Sequence, residues 1–284
     1  VLTKFNQPVV QRNFSYNAML FSNGKYVNHW ETGLSVPDIT SLETQMYFYY
    51  RACRYIDAGF EGIHWGQVLL MGENDPGYAN WQSLINKVGQ YAADNARRRF
   101  IFNNAHTHGI TGPDGKLLFD FHSFPMRLKA PNGSVAHAPT EANPQETIMT
   151  PGYYDSIYGK SLGGTTVSGW SCASLPYIVE LDNYGGSNTT YLNKPGIFMW
   201  AWGMDEISWF VNQPVSYRAT WLQNTYNWLR INDSAGYLCV AGSRPYYSLG
   251  EGQIIWYHIS GNQTINGVTP DEISIRNIWV NNNT

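Results

Sequence analysis

Residues 60–65, Phe60-Glu61-Gly62-Ile63-His64-Trp65, and residues 99–104, Arg99-Phe100-Ile101-Phe102-Asn103-Asn104, decide how this chain reads. Each is a short apolar run of strand length that ends in polar residues. Between them lie a turn-rich loop, Gly72-Glu73-Asn74-Asp75-Pro76-Gly77, and a stretch with Trp81, Leu84, Ile85, Val88 and Ala92 at helical steps of three and four. Asp75 is placed to cap that helix. Strand, loop, helix and strand in this order predict a parallel pair with a helical crossover, the repeating unit of an α/β sheet.

The pattern extends both ways. Upstream, Pro37-Asp38 opens a second helix, with Asp38 as N-cap and Ile39, Leu42, Met46, Tyr50, Cys53 and Ile56 as its apolar face. Gly59 closes it. Residues 14–21 read as a strand. Downstream, a Gly-Pro-Asp-Gly turn at 112–115 precedes a strand at 117–122, and a loop-rich insertion covers 125–174. Strands are expected at 175–183, 197–202, 237–240 and 254–258, and a third helix over 214–230. Eight strand candidates in 284 residues predict an α/β fold, specifically an irregular (β/α)8 TIM-like barrel forming one domain over 1–284. Some crossover helices are missing, notably at 105–117 and 185–196. An open doubly wound sheet is the alternative. The sequence holds neither a Gly-x-Gly-x-x-Gly fingerprint nor a P-loop, so no nucleotide cofactor is expected.

Composition narrows the function. Eighteen basic against twenty-one acidic residues leave a net charge of −3, which is no footprint for nucleic acid. The one basic run, Arg97-Arg98-Arg99, falls where a helix should end and there complements its dipole. No apolar stretch approaches the ~18 residues of a membrane span. Cys53, Cys172 and Cys239 are far apart and are expected to be inert thiols. Charged residues make up only 14% of the chain, while aromatics reach 15%; soluble domains typically carry about 25% charge.

Polar residues concentrate at the C-terminal ends of the predicted strands, where a parallel barrel builds its sites. The second strand ends in His64-Trp65-Gly66-Gln67 and the third in Asn103-Asn104-Ala105-His106-Thr107-His108. Asp120 and His122 share one face of the fourth strand; Glu180 and Asp182 share one face of the fifth. The sixth runs Trp200-Ala201-Trp202-Gly203-Met204-Asp205-Glu206. Carboxylates inside apolar strands are expensive to bury, which favours a cleft mouth; a buried network tying strands together is the other reading. Indoles beside Asn, His and carboxylates suit sugar rings, which have apolar faces and polar rims.

Eight strands, aromatic strand ends and inward carboxylates together resemble the (β/α)8-barrel glycoside hydrolases and their uncharacterised secreted bacterial relatives. That resemblance implies a carbohydrate ligand and an extracytoplasmic location. The large retaining clan carries Asn-Glu at the end of its fourth strand, where this chain has Asp120-Phe121-His122. The catalytic candidates therefore come from this chain's own strand ends: Glu180 as acid, with Asp182, Asp205, Glu206 or Asp120 as the second carboxylate. His64, Gln67, Asn104, His106 and His122 would hydrogen-bond the sugar, and Trp200 and Trp202 would stack on it. One alternative is a carbohydrate-binding or structural barrel without catalysis. Another is a metal-dependent hydrolase using His106, His108, His122 and Asp182 or Glu180.

Overall fold

A computed structural model of the chain describes residues 1–30, 32–125, 161–181, 199–200, 203–204, 206–239, 242–260 and 270–281. Among the described residues the fold is mixed α/β, with 40% helix and 19% strand. Its sheets have two or three strands, and no closed barrel is found among the described residues. The chain forms two compact units, Val1–Ser123 with Ser161–Pro176, and Phe124–Lys160 with Tyr177–Thr284.

The first unit is built on the strand–helix–strand segment. Strands β1 (Gly62–His64) and β2 (Phe102–Asn104) pair in parallel, with Ile63 opposite Asn103 and His64 opposite Asn104. Two long helices, α2 (Leu42–Asp57) and α4 (Ala79–Asn95), pack together. Short turns α1 (Tyr16–Met19) and α3 (Val68–Met71) precede each of them. The face expected for α4 is the buried one: Trp81, Leu84, Ile85, Val88 and Ala92 are sealed in the core. Burial of side chains this size contributes roughly 1.5–3 kcal/mol each.

On α2 the buried face is rotated from the one expected. Met46, Tyr49, Ala52, Cys53 and Ile56 are buried, whereas Leu42 and Tyr50 face solvent. The spacing permitted either tyrosine, and Tyr49 packs edge-on against Phe5 and Tyr91. The helix begins at Leu42 with Ser41 as N-cap, its hydroxyl accepting from the amides of Glu43 and Thr44. Asp38 instead closes a local turn, accepting from the Thr40 amide and hydroxyl at 2.9 and 2.7 Å. Residues 14–21 form the turn α1 rather than a strand, because the Ser15 hydroxyl caps it by accepting from the Ala18 amide.

Asp75 does cap α4, from outside its first turn. Its carboxylate accepts from the backbone amides of Asn80 and Trp81, both at 3.0 Å, and from the Asn80 side chain at 2.9 Å. At the other end the three arginines divide. Arg99 donates to the terminal carbonyls of Ala93 and Asp94. Arg97 and Arg98 both pair with Glu61, just before β1, and hold that exposed carboxyl below its ordinary pKa.

Residues 117–121 run beside β2 without becoming a strand. The extended segment begins later, at β3 (His122–Pro125). Leu117, Leu118 and Phe119 are all buried here. A short hairpin, β4 (Gly164–Thr165) with β5 (Ser171–Cys172), completes the unit.

The second unit repeats the parallel theme. Strand β6 (Tyr177–Glu180) is the middle of a sheet ordered β3-β6-β9, and it pairs in parallel with β9 (Gly236–Cys239). Gly236 gives the Tyr177 ring its room, since a Cβ there would lie 2.9 Å from the ring. Strands β7 (Met199–Trp200) and β8 (Gly203–Met204) pair antiparallel, and α5 (Glu206–Val211) follows in the chain. The expected third helix is α6 (Val215–Asn232), burying Trp221, Leu222, Thr225, Tyr226 and Leu229. A hairpin follows, β10 (Ser243–Ser248) with β11 (Gln253–His258), and then α7 (Pro270–Asn281). Arg218 of α6 grips Asp271 of α7 with two bonds of 3.0 and 2.9 Å, and the Tyr257 hydroxyl of β11 donates to the same carboxylate at 3.1 Å. No helix among the described residues is long and apolar enough to cross a membrane.

Two substitutions test these supports. Asp75→Ala removes the acceptor for two first-turn amides and is expected to lower unfolding free energy by about 1–2 kcal/mol. Asp271→Ala strands a nearly buried guanidinium and should cost about 3–5 kcal/mol. Urea unfolding checks both: the midpoint should fall with the slope unchanged, and by more for Asp271→Ala.

Candidate functional site

Polar side chains gather in each unit at the C-terminal end of its parallel strand pair, where open α/β sheets and barrels place their ligands. In the first unit the frame is set by backbone hydrogen bonds. The Trp65 amide donates to Asn104 O at 2.8 Å, the His106 amide to Gly66 O at 3.1 Å, and the Ser123 amide to Ala105 O at 3.1 Å. Gly66 adopts a φ of +73°, a left-handed turn that favours glycine and presents its carbonyl to His106.

That frame brings His64, Asn104, His106 and Ser123 together. His64 Nδ1 lies 2.5 Å from Asn104 Oδ1 and 3.2 Å from Ser123 Oγ. An amide oxygen only accepts, so His64 Nδ1 carries a proton and donates. The His64 and His106 rings are 4.5 Å apart between centroids, with planes at 61°. His64 is exposed, His106 half-buried and Asn104 buried, so the imidazoles face outward over a fixed polar floor. The Thr107 hydroxyl, next in sequence, is buried without a hydrogen-bond partner among the described residues.

Asp120 and His122 sit beneath, fully buried. One Asp120 oxygen accepts from the Asn103 amide at 2.9 Å and the other from the Ser168 amide at 3.3 Å. In return the Asp120 amide donates to Asn103 O at 2.8 Å. Asn103 itself accepts from the Trp65 indole at 3.0 Å. Asp120 thus ties β2 to two neighbouring segments. His122 lies with its ring 6.4 Å from that of the exposed His108. Gln67 begins the α3 turn, exposed, two residues beyond Trp65.

In the second unit Glu180 is the last residue of β6, half-buried and opposite Cys239 in the ladder. Burial and the negative charge of Glu180 push the Cys239 thiol up to about 11, while the positive charge of Arg244 pulls the other way. Arg244 donates to Leu181 O at 2.7 Å, which fixes the guanidinium at the end of β6. Sequence reasoning placed Glu180 at a strand end; it did not pair it with Cys239. Glu206 opens α5 and is sealed from solvent. Asp182, Asp205 and Trp202 lie outside the described residues, and Trp200 is described only as part of β7. Trp65, Trp81 and Trp209 belong to the two cores.

Among the described residues no three His, Cys, Asp or Glu side chains gather as a metal shell. The imidazole that meets His106 is His64, from the neighbouring strand, rather than His108 from the same loop. The sequence signal for that pair was the parallel register itself, which sets the ends of β1 and β2 side by side.

The Glu180–Cys239 contact has a measurable consequence. Glu180→Gln removes a negative charge that disfavours the thiolate, so the Cys239 pKa should fall below about 11 and its alkylation at mildly alkaline pH should accelerate. Iodoacetamide labelling followed by mass spectrometry across a pH series reads this directly. An unchanged profile would mean that Glu180 does not face Cys239.

No protein-family model matches the chain, and no curated protein or solved structure matches it either. The chemistry of these strand ends is therefore read from their own residues.

Proposed function

We propose that the chain is a carbohydrate-active protein, a glycoside hydrolase on an irregular (β/α)8 barrel. The observation that carries this reading is that both units collect their polar side chains at the C-terminal end of a parallel strand pair, β1 with β2 and β6 with β9. A barrel of this class is made of such pairs and binds its substrate at those ends. The substrate implies a place outside the cytoplasm.

Glu180 is the general acid. It is half-buried at an apolar strand end, where a carboxyl can be kept protonated for donation to a leaving oxygen. The second carboxylate comes from the same unit, from Asp182, Asp205 or Glu206. Their separation from Glu180 sets the outcome, about 5–5.5 Å for retention and about 6.5–9.5 Å for inversion. At the strand ends of the first unit His64, Asn104 and His106 offer both donors and acceptors to sugar hydroxyls, with Gln67 three residues after His64. Trp200 and Trp202 supply stacking faces.

A second reading has its own support. Asp120 and Glu206 are enclosed in protein, at 0% and 1% exposure. Carboxylates so placed suit a barrel that binds a glycan without cleaving it.

Release of reducing ends from a panel of polysaccharides and oligosaccharides tests both. Wild type should release them, and Glu180→Gln should lose at least ~10³-fold in rate, about 4 kcal/mol of transition-state stabilisation, while still binding the substrate. Glycan binding with no release by wild type would select the binding protein. Neither binding nor release would overturn the carbohydrate reading altogether.

A further inference from the structure

We propose that the outer edge of β11 is a self-association site, where the same strand of a second copy of this chain pairs antiparallel about a two-fold axis at Trp256. The site is argued from backbone register within the second unit, and it holds whether or not the chain acts on a glycan.

The first support is the direction of the backbone groups. The hairpin sets Ser243 opposite His258, and just beyond that pair the Ile259 amide donates to Gly242 O at 3.0 Å. Bonded and non-bonded pairs alternate along an antiparallel ladder, so Arg244 with Tyr257 and Tyr246 with Ile255 exchange bonds across the hairpin. The N–H and C=O groups of Ile254, Trp256 and His258 then point away from β10. Nothing among the described residues pairs with these backbone groups.

The second support is the contrast between the hairpin's two edges. Prolines, charges, bulges and covering segments keep strand edges from pairing. On β10, Pro245 offers no N–H, the Tyr247 amide donates to Ser208 Oγ at 2.8 Å, and Asn212 Nδ2 donates to Tyr247 O at 2.7 Å. β11 has none of these protections. Its sequence, Gln253-Ile254-Ile255-Trp256-Tyr257-His258, holds no proline and no Asp, Glu, Lys or Arg, and its register with β10 runs without a bulge. Its outward residues are exposed as well, Trp256 at 62% and Ile254 at 43%.

The third support is the fit of this edge to itself, which names the occupant. A two-fold pairing at Trp256 sets Trp256 opposite its own copy and Ile254 opposite the partner's His258, so every outward N–H meets an outward C=O. With no charged residue in β11, two copies meet there without repulsion. Ser208 and Asn212 already occupy the β10 edge, so each copy has one open edge and association closes at a dimer instead of growing into a fibre. Tyr257, between the outward residues, is buried and donates to Asp271, so the strand is held in place before a partner arrives and the ordering cost is small.

Sedimentation velocity and amide hydrogen exchange of the full chain across a concentration series test the site. A pairing of this length falls below a standard interface, so the expected result is a monomer–dimer equilibrium with a dissociation constant between about 1 μM and 1 mM. On dimerisation the Ile254, Trp256 and His258 amides should exchange at least ~10-fold more slowly, while those of Ile255 and Tyr257, already bonded to β10, should not change. Ile254→Lys with His258→Lys sets like charges across the two-fold pair, and Ile254→Glu with His258→Lys sets opposite ones, so the second combination should dimerise at least ~10-fold more tightly. The exchange pattern needs no substitution, so a variant that misfolds does not decide the matter. A chain still monomeric at about 1 mM, a dimer that leaves the Ile254, Trp256 and His258 amides unslowed, or equal association of the two folded double variants would overturn the proposal. Protection of these amides only by an added extended peptide of unrelated sequence would also overturn it, and would assign the edge to a foreign strand.

Discussion

A carboxylate with no access to water governs the first unit. Asp120 is fully buried, and an isolated charge there would be costly to remove from solvent. It is tolerable because the Asn103 and Ser168 amides donate to its two oxygens. The Asp120 amide closes the ring by donating to Asn103 O. Moving Asp120 would leave a buried carboxylate and the buried Asn103 amide unpaired, so the position of β2 is tightly prescribed. Everything at the strand end inherits that position: Asn104 follows Asn103, His64 lies opposite Asn104, and Ser123 hangs from Ala105.

The same device recurs along a chain in which only 14% of residues are charged. Asp75 holds the start of α4, and Glu43 accepts from Arg12 and from the Ser15 amide. In the second unit Asp233 accepts from the Tyr177 hydroxyl and the Ala235 amide, while Asp271 joins α6, α7 and β11 through Arg218 and Tyr257. These acids are buried, and each is matched by two or more donors. His64, His106 and Glu180, at the strand ends, are more exposed than these acids.

Much of this was legible in the sequence, for identifiable reasons. The face of α4 was readable because Trp81, Leu84, Ile85, Val88 and Ala92 leave only one way to pack. On α2 adjacent tyrosines at 49 and 50 satisfied the period equally, and tertiary contacts with Phe5 and Tyr91 decided between them. Strand β10 was not foreseen because Pro245 interrupts its pattern, yet a hairpin strand accommodates a proline whose missing N–H is on the unpaired side. Helix α7 did carry a start signal, Pro270 followed by Asp271 and Glu272, that periodicity alone passes over. At the site, the strand-end positions of His64, Asn104 and Glu180 followed from chain order. The role of Asp120 did not, because its donors lie 17 and 48 residues away in sequence.

The central claim is that a buried Asp120–Asn103 connection holds a prebuilt polar frame at the end of β1 and β2. Amide hydrogen exchange tests it most directly, at Asn103, His106 and Ser123, whose N–H groups donate to Asp120, Gly66 and Ala105. These three amides are predicted to exchange only through global unfolding, with a protection free energy equal to that of the buried Leu84 and Val88 amides of α4. Exchange of the three at the rate of exposed loop amides, with α4 still protected, would contradict the account.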